Sequence, residues 1–120
     1  MFVGVLRLTL HLPDAGSLKS KRHLLRSALD RVRARFLVAI AEVGENDLWQ
    51  RAVVGVAAVG NDHAFVNETL DKVTEFVAGV HGGQILVTDR VMEILPFGGG
   101  VGGDGGWRTL AEAEAEDGDP

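Results

Sequence analysis

The 120-residue sequence contains no cysteine and no tyrosine. The first absence excludes disulfides and thiolate metal sites. The second leaves five phenylalanines and two tryptophans as the only aromatics. That is a poor supply for a sheet that stacks bases on aromatic side chains, as RNA-recognition domains do. No apolar run approaches the roughly 18 residues of a membrane span, so no membrane partner is expected. The opening MFVGVLRLTLHLP has neither a basic leader nor a small-residue cleavage site. A cytoplasmic location is the default reading.

Positive charge is also in deficit, with a formal net charge of −5. A generic nucleic-acid binder is usually basic overall. The charge is segregated, however. The stretch SLKSKRHLLRSALDRVRARF, residues 17–36, holds seven of the twelve bases: Lys19, Lys21, Arg22, Arg26, Arg31, Arg33 and Arg35, against Asp30 alone. Residues 104–120 hold six acids against Arg108. An average over the chain hides this layout.

Hydrophobic periodicity sets out the elements. Residues 2–12 alternate with period two, placing Phe2, Leu6, Leu8, Leu10 and Leu12 on one face of a strand. PDAGS breaks it, and Ser17 can cap a helix running to about Arg35, with Leu18, Leu25, Leu29, Val32 and Phe36 as its apolar stripe. FLVAIAEV (36–43) and QRAVVGVAAV (50–59) read as strands joined by the hairpin loop GENDLW. Asn61 or Asp62 can cap a second helix with the stripe Val66, Leu70, Val73, Val77 and Val80, which HGG ends. QILVTDRVMEIL (84–95) is a last strand. The order βαββαβ predicts an α+β, ferredoxin-like domain over residues 1–96: a four-stranded antiparallel sheet with two helices on one face. Residues 97–120 read as a Gly-rich linker and an acidic tail, flexible by composition.

SLKSKR after the first strand, AEV ending the second and DLWQRAVVGVAAVGND through the third together resemble the bacterial YlxP-like family, over roughly residues 2–95. The resemblance implies a ferredoxin-like fold and a genomic setting among translation-initiation and ribosome-maturation genes. It brings no catalytic residues across. The chain departs from the family at Leu37 and Ala39, where members often carry Asn and Ser.

The candidates for chemistry follow from placement. At 100° per residue, Lys19, Arg22, Arg26 and Arg33 form one ridge about 40–100° from the apolar stripe of the first helix. Lys21, Arg31 and Arg35 fall on the other flank. Lys19, Lys21 and Arg22 sit in the first turns, where the helix dipole disfavours cations and an arriving phosphate would reverse the sign. The plain alternative is a solvated face whose long stems cover the core edge. Trp49 and Arg51 at a strand entry could stack a base and hold a phosphate. The alternative is a Trp closing one end of the core, with Asp47 pairing Arg51. Lys19, Lys21, Arg22, Arg26, Arg33, Trp49 and Arg51 are therefore the anion- or RNA-binding candidates.

Other patterns carry less. Gly98, Gly100 and Gly103 match G-x-G-x-x-G but lead to no βαβ unit. His11, His23, His63 and His81 lie on different elements, none paired at helical spacing, so no metal site is expected. Asp62 beside His63 reads as a cap, Ser17 and Ser20 lack an evident base, and Glu42 with Glu45 would need closeness to act as a carboxylate pair. No catalytic constellation and no cofactor is expected. The leading function is a small binding protein for RNA or a ribosomal subunit. The alternative is an interaction or regulatory module that dimerises through an apolar sheet face.

Overall fold

A computed structural model describes residues 1–98. The expected linker and acidic tail lie outside the described residues, apart from Phe97 and Gly98. The chain runs β1 (Phe2–His11), α1 (Leu18–Arg35), β2 (Ala39–Gly44), β3 (Arg51–Gly60), α2 (His63–Gly79) and β4 (Leu86–Pro96). The strands form one antiparallel sheet in the order β2-β3-β1-β4. This is the α+β ferredoxin-like arrangement that the element order predicts.

Alternation in β1 and β3 gives the sheet one inner face. Leu6, Leu8 and Leu10 meet Ala52, Val54, Val56 and Ala58 there. Leu25, Ala28, Leu29 and Val32 of α1 and Val66, Leu70, Val73 and Val77 of α2 close over it in a single core. Both helices therefore lie on the same side of the sheet. Gly4 makes the approach of α2 possible: a Cβ there would stand 2.5 Å from Val66 Cγ1 and 2.8 Å from Leu70 Cδ1.

The caps explain the helix limits. Ser17 accepts from the Ser20 amide at 3.0 Å, and the Ser20 hydroxyl sits 3.2 Å from the Ser17 amide, a reciprocal box. Asp62 accepts from the Ala64 amide at 3.0 Å and starts α2. Phe36 leaves α1 with extended backbone and packs edge-on against Phe76, with centroids 5.7 Å apart. The strand expected from residue 36 thus begins only at Ala39, because Phe36 is spent on the helix end and Leu37 is almost wholly exposed.

The outer face of the sheet is uncovered among the described residues. Val5, Val43, Val59, Val91 and Leu95 are exposed on it, around a shallow depression lined by Val5, Ala39, Ala41, Gly55 and Ala57. No helix among the described residues is long and apolar enough to cross a membrane.

Candidate functional site

The register of α1 over β2 decides which cations face solvent. Its buried side includes Lys21 and Ala28 as well as Leu25, Leu29 and Val32. On a helical wheel the centre of that side lies about 40° away from Leu18, toward Lys21. Lys21 is therefore fully buried, not exposed on a flank. Its Nζ donates to the Glu45 carbonyl at 2.8 Å and lies 3.0 Å from Glu42 Oε2. The second contact has ion-pair distance without hydrogen-bond alignment, since Glu42 Oε2 finds no aligned donor among the described residues. Lys21 is thus corrected from an anion-binding candidate to an internal strut between α1 and β2. An amine with no exposed surface cannot meet a phosphate.

The same register gathers Arg22, Arg26 and Arg33 along a groove of ≈ 330 Å³, floored by Leu25 and Leu29 and edged by Glu42. All three arginines are exposed. Arg33 is held at the far end: Nη2 donates to the Ile40 carbonyl at 2.7 Å and Nη1 to Asp30 Oδ1 at 3.1 Å. Arg22 and Arg26 have no carboxylate within ion-pair distance among the described residues. Glu42 would repel an anion, but Lys21 offsets its charge from behind, so the arginines set the sign of the groove. Lys19 is exposed one turn earlier, at the helix start.

That start is less open than its charge suggests. The Ser20 amide is taken by Ser17, so an anion there would find one fewer free donor than a bare helix end provides.

Trp49 and Arg51 lie elsewhere. With His11, Asp47, Leu48 and Gln50 they line a separate depression of ≈ 510 Å³ on the β2–β3 loop. Trp49 is exposed and does not close the core. Arg51 Nε pairs with Glu45 Oε2 at 2.8 Å, not with Asp47. The loop is anchored to β1: the Leu12 amide donates to the Gln50 carbonyl at 2.8 Å, and His11 Nδ1 lies 3.0 Å from the same oxygen. Glu45 turns the chain with φ 59°, a left-handed conformation uncommon for a residue with a Cβ. Its carbonyl is the acceptor for Lys21, so the strained turn and the buried amine hold each other. Glu42 and Glu45 consequently serve two different cations and do not act as a carboxylate pair.

His81, beyond α2, has its pKa lowered, first by burial, then by the Arg31 guanidinium, against a smaller raising influence from the Leu24 backbone. Its Nε2 is buried and has no hydrogen-bond partner among the described residues. Among the described residues no group of three His, Cys, Asp or Glu gathers as metal ligands.

Residues 3–90 match the family described as "Protein of unknown function (DUF503)". The uncharacterized protein YlxP of Bacillus subtilis (strain 168) is 44% identical over 64 residues, which cover 53% of this chain and 70% of the relative.

Proposed function

The chain belongs to the DUF503 family, and we propose that it is a small binding protein that takes RNA, free or on a ribosomal subunit, along the basic groove of α1. The observation that carries this reading is the exposed row Arg22, Arg26 and Arg33 over an apolar floor. Guanidiniums supply paired donors suited to phosphate oxygens, and Lys19 extends the row by one turn. The translation-gene setting implied by the family resemblance agrees with it. The outer sheet face offers no Phe, Tyr or Trp on β1 or β3, so binding through phosphates rather than through stacked bases is the mode that suits this chain.

Four phosphate contacts give a slope of log affinity against log salt of about −3 for single strands, at roughly −0.7 each. Labelled single-stranded RNA, titrated at several salt concentrations, should bind with little sequence preference and that slope. The double variant Arg22→Glu, Arg26→Glu should lose the binding while melting as the parent does. Equal binding by parent and variant would reduce the row to a solvated helix face.

The outer face supports a second reading, that two copies pair through it. Strands of 10, 6, 10 and 11 residues give a face of about 600 Å² per copy, or about 1,200 Å² for a pair, at the lower end of stable interfaces. Arg7 on β1 and Arg51 on β3, with Asp89 and Glu93 on β4, put charges of both signs on it, which a two-fold axis can match. Sedimentation at micromolar concentration should report a dimer, and Ala57→Asp should give a monomer. A monomeric parent removes this reading and leaves the groove untouched.

A further inference from the structure

The same chain also carries a polyanionic segment. Residues 1–98 carry eleven basic and eleven acidic side chains, so the whole formal charge of −5 belongs to residues 99–120. Five acids, Glu112, Glu114, Glu116, Asp117 and Asp119, fall in the last nine residues. We propose that this acidic terminus occupies the groove of Arg22, Arg26 and Arg33 in its own chain and must be displaced before another polyanion can enter. The contact rests on the groove and its charge; its regulatory meaning rests on the RNA reading above.

The topology makes the reach right. Pro96 pairs with Phe2, while Ile40, whose carbonyl holds Arg33, pairs with Val56 and so lies level with Leu6. That places the groove four residues along the sheet and three strands across from the end of β4, about 13 Å by about 14 Å. The helix layer stands about 10 Å above, for a span of about 22 Å. Fifteen residues lead from Phe97 to Glu112, and seven of the first nine are glycine. Taut, they cover about 50 Å. A Gly-rich chain of that length has an r.m.s. end-to-end distance of about 19–23 Å. Effective concentration peaks when that distance matches the span, and it is then of millimolar order. Even a weak contact between carboxylates and guanidiniums is populated under those conditions. Salt should undo it, since the groove is open to solvent.

The test compares the full chain with a full-length variant carrying Glu112→Gln, Glu114→Gln, Glu116→Gln, Asp117→Asn and Asp119→Asn. The arginine Nε–H NMR signals report the groove without any added ligand. At low salt those of Arg22, Arg26 and Arg33 should differ between the two chains, while Arg7 and Arg90 stay unchanged, and added salt should abolish the difference. Identical groove signals overturn the proposal. Labelled single-stranded RNA is then added to both. The neutralised chain should bind about tenfold more tightly, the ratio given by a ~1 mM effective concentration and a ~0.1 mM contact. If the signals differ but neither chain binds RNA, the internal contact stands and the RNA reading falls.

Discussion

Lys21 and Arg22 follow one another on α1, yet the inner flank buries Lys21 completely and the groove flank leaves Arg22 in solvent. The inner flank is a closed network. Lys21 meets Glu42 and the Glu45 carbonyl, and Glu45 meets Arg51, so α1, β2 and β3 are tied through alternating charges. The groove flank is open, with Arg22 and Arg26 unpaired among the described residues. A buried cation must be paired, because its desolvation is uncompensated otherwise. An exposed one needs no partner and contributes little to stability. Binding capacity is therefore expected only on the flank that folding does not use.

The largest expected effect breaks the inner flank. Glu42→Ala leaves Lys21 buried with a single carbonyl acceptor, and should lower stability by about 3–5 kcal/mol. Urea denaturation measures this, and a loss under about 1 kcal/mol would show that Lys21 escapes to solvent. The double change Lys21→Met, Glu42→Leu should recover most of the loss, because it removes both charges from the site.

Gly4→Ala comes next and tests the other helix. The added methyl group meets Val66 and Leu70 below van der Waals distance, so α2 must shift, at a cost of about 1–3 kcal/mol. The groove flank supplies the contrast: Arg22→Met should change stability by no more than about 0.5 kcal/mol. A larger loss would mean that the stem of Arg22 covers core surface.

The smallest effect is a pH dependence. The folded-state pKa of His81 lies below its ordinary value of 6.5. The unfolded chain therefore takes up the proton first as pH falls. The contribution of the neutral imidazole is fully present above pH 6.5 and is lost as pH drops from there through the lowered folded value. His81→Gln should flatten the curve of melting temperature against pH in that window. An unchanged slope would mean that the burial of this ring does not reach its titration.

Much of this molecule is set by local pattern. The period-two run of β1, the stripe Val66, Leu70, Val73 and Val77, and the caps Ser17 and Asp62 are written in neighbouring residues, because strand alternation, helical spacing and capping act over a few positions. Those patterns, in the order βαββαβ, also restrict the topology. Tertiary structure alone decided the fate of each cation. A helical wheel gives the angle of Lys21 relative to Leu18, but not how far α1 rolls over β2, and a few tens of degrees separate a buried amine from an exposed one. The partners Glu42 and Glu45 are 21 and 24 residues away, brought close by the hairpin and by a left-handed turn at Glu45. The sequence by itself determined that positive charge would gather on α1; the packing of α1 against β2 determined that Lys21 became a strut and that Arg22, Arg26 and Arg33 became a surface.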